Sequence, residues 1–294
     1  MGLAIGSAPS SGCRSVPEKV GESPLAVYIV AGQSNAVGFD APGTQLSHEP
    51  DDARVHFWWR VGDPPPDAFD STQGSQRWVP LQAQSRGTPM QRESGPRQYG
   101  NFRDPSGGFG PEIGFARCVM SRAGDPRSEA AILKVAFSGT SLLGDWDPED
   151  PGDKGACYRA LIQEFTLAMA ELRARGHEPR VEALLWIQGE SDANAAGAER
   201  YPAALEALLY ALRRDLAAPE MIALLAVNTK FGGGENPWVL RIAAAQQLVA
   251  NRDPRSVYVD TSAASIANGA HYDAAGTLLV GRRMGEALVE LQAR

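Results

Sequence analysis

The sequence predicts an α/β protein built on a parallel sheet with helices on both faces. Two observations carry that reading. Short apolar runs of strand length recur at 26–31, 130–137, 181–187, 221–228 and 256–260. Amphipathic stretches of helical length stand among and after them, at 111–123, 158–175, 198–217, 237–252 and 274–294. Strand and helix alternating at this spacing point to crossover connections, which join parallel strands and leave helices covering the sheet.

The element boundaries have local support. Residues 27–30 form an apolar run that ends abruptly at Gly32-Gln33-Ser34-Asn35, so a buried strand passes into a tight turn. Pro111 suits a first helical position, and Gly176 suits a helix end. Residues 40–106 break the rhythm. They are rich in Pro, Gly, Gln and Arg, with apolar islands only at 55–59 and 78–81. A connection of that length reads as a functional or wall-forming insertion. Residues 1–24 are polar and rich in Gly, Ser and Pro, and read as a disordered leader or signal remnant. Ser11-Gly12-Cys13 has the look of a lipoprotein-signal end, which points toward a secreted or periplasmic location. Residues 25–294 then form one domain.

Composition narrows the function. A net charge of -7 with no cluster of Lys or Arg disfavours a nucleic-acid partner, because phosphate binding relies on basic surface. No apolar stretch has the length of a membrane span. Cys13, Cys118 and Cys157 are widely spaced and form no metal or redox pattern. His48, His56 and His177 have no ligand spacing, so no metal site is expected. Gly232-Gly233-Gly234 lacks the Lys-Ser/Thr of a phosphate loop.

In an open parallel sheet, the carboxyl ends of the strands converge on one edge, where ligands bind. Four strand ends here carry chemistry. They are Gly32-Gln33-Ser34-Asn35, Ser138-Gly139-Thr140-Ser141, Gln188-Gly189-Glu190-Ser191-Asp192, and Asn268-Gly269-Ala270-His271-Tyr272-Asp273. Together they supply a nucleophile, a base, carboxylates to orient the base, and donors for an oxyanion, the set that acyl transfer needs. Alone, Ser34 and Asn35 would read as a helix cap.

These motifs, with Gly-Phe-Gly-Pro-Glu at 108–112, resemble the SGNH/GDSL hydrolase superfamily. More narrowly they resemble its sialate O-acetylesterase-like branch, which includes carbohydrate esterase family six and its acetylxylan esterases. The resemblance runs from about residue 26 to the C-terminus. It implies a flavodoxin-like three-layer α/β/α sandwich, here with about five strands, and a cofactor-free serine esterase acting on an O-acetylated carbohydrate. It also implies Ser34 as nucleophile, His271 as general base, and an oxyanion hole from the N–H groups of Ser34 and Gly139 with the amide of Gln188.

One position departs from the superfamily pattern. The usual Asp three residues before the histidine is Asn268 here. An amide can hold an imidazole but cannot stabilise an imidazolium as a carboxylate does. Glu190 is the preferred third triad member because it directly follows a rigid strand; Asp192 and Asp273 are alternatives. Asp273 also reads as the cap of the last helix, and Asp192 as a cap or a buttress of the Gln188 loop. Glu112 reads as structural, in the first turn of its helix. Trp146 and Trp238 lie near the site in sequence and suit either sugar faces or the core. Asn268 also admits a binding protein that has kept the fold and lost the chemistry. A lipid or thioester substrate fits less well, because the 40–106 segment is polar.

Overall fold

The computed structural model describes residues 1–2, 24–62, 74–86, 102–125 and 127–293. Most of the expected leader, with Cys13, and parts of 40–106 lie outside these residues. The first apolar run forms β1 (Leu25–Gly32), which lies inside the sheet, paired in parallel with β4 (Ala130–Phe137) and β5 (Pro179–Ile187). β2 (Val55–Gly62), β3 (Val79–Pro80), β6 (Ile222–Ala226) and β7 (Ser256–Tyr258) complete a seven-stranded sheet in the order β3-β2-β4-β1-β5-β6-β7. Among the strand pairs of the described residues, only β2–β3 is antiparallel.

The two strands beyond the five expected come from within 40–106. The island at 55–59 is not peripheral. It belongs to β2, which pairs along the whole of β4 and buries Phe57, Trp58 and Trp59. The polar residues around it hid a strand that would otherwise leave β4 as an open edge.

Alternation along β1 divides the core. Val27, Ile29 and Ala31 pack with α4 (Ala156–Ala174), α5 (Ala195–Asp215) and α6 (Pro237–Arg252) on one face. Tyr28 and Val30 pack with α2 (Glu112–Arg122) and α7 (Ala274–Gln292) on the other. The result is the expected three-layer α/β/α sandwich.

The turn after β1 is fixed by two glycines. Gly32 has φ 139° and a Cβ there would overlap the Ile187 carbonyl, so the chain passes tightly over the end of β5. One turn of helix, α1 (Ser34–Val37), follows, and Gly38 closes it at φ 84°. That left-handed residue turns the chain back across the sheet end, bringing Phe39 and Asp40 to the site. A short helix, α3 (Leu142–Asp145), follows the turn after β4.

Candidate active site

Ser34 opens α1, where the first N–H groups have no acceptor within the helix. His271 arrives on the loop between β7 and α7, and its Nε2 stands 3.0 Å from Ser34 Oγ. Its Nδ1 stands 2.7 Å from Asp40 Oδ2. The carboxylate oxygen accepts, so the Nδ1 proton points at Asp40 and the Nε2 lone pair faces the serine hydroxyl. Burial lowers the His271 pKa most, Asp40 raises it, and Arg103 lowers it again. The imidazole is therefore a free base at neutral pH. The Phe39 ring lies against it, with centroids 4.8 Å apart.

The carboxylate beside the histidine is thus Asp40, and not Glu190, Asp192 or Asp273. Asn268 explains the exchange. Its Nδ2 donates to Asp40 Oδ2 at 2.7 Å, while its Oδ1 accepts from the N–H groups of Ala270 and His271. An aspartate at 268 would set a second negative charge against Asp40; the amide instead donates to it and shapes the histidine turn. The sequence signal was present in Gly38-Phe39-Asp40, a helix-closing glycine followed by an acid, but Asp40 opens the segment read as an insertion.

Glu190 is buried one step away. Its Oε1 accepts from Asn35 Nδ2 at 2.7 Å and from Asn228 N at 3.1 Å. Both asparagine side chains also donate to the Ala270 carbonyl, and Asn35 Oδ1 accepts from Tyr272 N. The backbone on each side of His271 is clamped in this way to the turn that carries Ser34. Desolvation raises the Glu190 pKa, and its second oxygen has no hydrogen-bond partner.

Gln188 does not offer its amide to an incoming oxyanion. Its Nε2 is fully buried and faces Asp192 Oδ2 at 2.7 Å, Thr140 O at 3.1 Å and Gln33 Oε1 at 3.2 Å. Its Oε1 accepts from Tyr201. Two amide protons shared among three acceptors leave none to spare. Asp192 buttresses this loop and accepts from the N–H groups of Leu142 and Leu143, capping α3.

The orientation of Gln33 follows from that of Gln188. Backbone N–H groups can only donate, and those of Gly189 and Ser191 both point at one terminal atom of the Gln33 amide. That atom must be the oxygen, so the Gln33 amide N–H₂ faces away from Gly189 and Ser191. Gln33 was not singled out from the sequence, where the neighbouring Ser34 and Asn35 drew the reading.

The remaining expectations divide. Gly139 lies in the turn after β4 with φ 72°, at the same sheet edge as Ser34. Asp273 caps α7, accepting from Gly276 N. Trp146 is a core residue packed edge-on against Trp186, so it does not line the site. Trp238 is half-buried at the start of α6 beneath Arg241. Glu112 is fully buried, paired with Lys134.

A family model described as "Carbohydrate esterase, sialic acid-specific acetylesterase" matches residues 24–290. The chain belongs to that family. It is accordingly a carboxylic ester hydrolase of the carbohydrate acetylesterase kind, within the SGNH hydrolases. No curated protein sequence matches it significantly. Among solved structures, an Arabidopsis thaliana protein superposes with a TM-score of 0.63 at 18% identity, covering 91% of this chain and 99% of that one. NanS gives 0.57 at 16% identity, covering 92% and 99%. A carbohydrate acetylesterase from Xanthomonas citri gives 0.54 at 18% identity, covering 90% of this chain and 56% of that one. At these identities the likeness is one of fold. Among the described residues no helix of this esterase is long and apolar enough to cross a membrane.

Proposed function

We propose that this esterase removes O-acetyl groups from a carbohydrate through an acyl-enzyme on Ser34, with His271 as general base and Asp40 as the orienting acid. The observation that supports this most is the unbroken line from Ser34 Oγ through the two ring nitrogens of His271 to Asp40 Oδ2. His271 takes the Ser34 proton as Oγ attacks the acetyl carbonyl. Collapse of the tetrahedral intermediate expels the sugar oxygen, which takes that proton from His271. Water then repeats the cycle on the acetyl-serine and releases acetate.

The oxyanion is received by the N–H groups of Ser34 and Gly139 together with the Gln33 amide N–H₂. Gln188 acts one layer back, holding Gln33. The relay from Asp192 and Thr140 through Gln188 to Gln33 fixes the donor before substrate arrives, as electrostatic stabilisation requires.

Acetate release from O-acetylated sugars tests the reading. Ser34→Ala is expected to lower kcat by about 10⁶, the order seen when a triad nucleophile is lost. Wild-type turnover by the variant would refute it. Gln33→Glu keeps the acceptor toward Gly189 and Ser191 but replaces the donor with an oxygen. We expect about a 10²–10³-fold loss in kcat with KM and Tm little changed. A change confined to KM would make Gln33 a ground-state contact instead. The alternative of a binding protein without chemistry loses its motive, because Asn268 has a carboxylate beside it.

A further inference from the structure

The fold brings together two histidines and a glutamate at the end of the sheet opposite the active site. His56 lies at the start of β2, and Glu129 immediately precedes β4. His177 lies between α4 and β5, its N–H held by the Leu172 carbonyl. The side-chain ligand atoms of all three lie within 4.8 Å of one another. The two imidazole rings stand edge to face, with centroids 5.2 Å apart.

We propose that His56, Glu129 and His177 form a binding site for a divalent transition ion of the Zn²⁺ class, with water completing four-coordination. The His56–Glu129 geometry supports it first. Nε2 stands 3.5 Å from Glu129 Oε2, too far for a good hydrogen bond, and this buried nitrogen has no other hydrogen-bond partner. Ligands held about 2.0–2.2 Å from a tetrahedral ion lie about 3.4 Å apart, which is close to the spacing present. An orphaned imidazole nitrogen is costly without such a partner.

The chemistry of the set points the same way. Two imidazoles and one carboxylate suit Zn²⁺ and its neighbours, and suit Ca²⁺ or Mg²⁺ poorly. The Arg175 guanidinium is paired with Glu171 and donates to the Trp78 carbonyl. Glu129 is about half exposed, its side chain at 47%, so it can swing to close the remaining gap. An ion there would tie β2, β4 and the α4–β5 connection together. The widely spaced histidines gave no sign of this because three separate elements deliver the ligands.

Zn²⁺ titrated calorimetrically into the whole chain is expected to fill this site with a micromolar Kd. Glu129→Gln and His177→Ala should each weaken that binding at least tenfold while acetate release stays at the wild-type rate. At 100-fold excess over Kd, Zn²⁺ should raise the wild-type Tm by about 5 °C and leave the variants' Tm nearly unmoved. Absence of binding, or equal affinity in wild type and Glu129→Gln, would overturn the proposal. The exposed Glu129 position keeps the test valid if His177→Ala folds poorly, and a Zn²⁺ affinity that instead falls in Asp40→Asn would place the ion at the active site.

Discussion

Asp40→Asn should lower kcat by about 10⁴ while the protein stays folded. The substitution keeps the size of the side chain and its contact with Asn268, but removes the charge that favours the protonated His271 formed during attack. If the amide instead turns its N–H₂ toward Nδ1, it gives up the Asn268 contact, since both bonds use Oδ2, and turns the ring to the wrong tautomer. Burial and Arg103 already lower the His271 pKa, and Asp40 opposes them. With that opposition gone the pKa must fall further, so the acid limb of kcat/KM moves to lower pH in the variant. Glu190→Gln is the paired control. Its Oε1 can still accept from Asn35 and Asn228, so kcat should stay within about threefold of wild type. The pH profiles and kcat of the two variants, measured side by side, check both statements. A full rate for Asp40→Asn with a collapsed rate for Glu190→Gln would return the acid to the position expected from sequence.

Glu112→Ala is expected to cost about 3–5 kcal/mol of stability, because it strands a buried ammonium. Lys134 lies within β4 and is fully buried, with Nζ donating to Glu112 Oε1 at 2.9 Å and to the Val37 carbonyl at 2.7 Å. The same glutamate oxygen accepts from Gln84 and from Gly110 N. Burial pushes the Lys134 pKa down, and Glu112 opposes the shift, so losing Glu112 removes what keeps the charge in place. Thermal denaturation should show a fall in Tm of about 10 °C. The double change Lys134→Met with Glu112→Leu should be milder than Glu112→Ala alone, since it removes both charges. Equal losses in single and double variants would mean that the pair does not act as a unit. Val37 ends the helix that opens on Ser34, so the Glu112–Lys134 pair also helps to hold the turn carrying Ser34.

Much of this was legible in the sequence for a physical reason. Buried parallel strands are written as unbroken apolar runs, and β1, β4, β5, β6 and β7 fall close to where those runs predict them. β2 was hidden because Arg60 and His56 interrupt its run and turn-forming residues crowd around it. In the site, Ser34 and His271 were readable because each stands in a short local motif. Asp40 was not, since its partner lies across the fold and no local spacing links them. Gln188 shows a different limit. Its motif is plain in the sequence, but whether an amide proton is free depends on Asp192, Thr140 and Gln33, which only the folded chain brings to it.

Ser34 and Asp40 both leave the ribosome early, on either side of one helical turn, whereas His271 follows only after all seven strands of the described sheet. A nascent or partly refolded chain therefore carries a nucleophile and an acid with no base between them. Because β1 pairs with strands more than a hundred residues later, its neighbours must arrive before His271 can be clamped by Asn35 and Asn228. Hydrolytic competence is for that reason among the last properties the chain acquires. Acetate release during refolding would mark completion of the topology, later than the burial of tryptophans in the core.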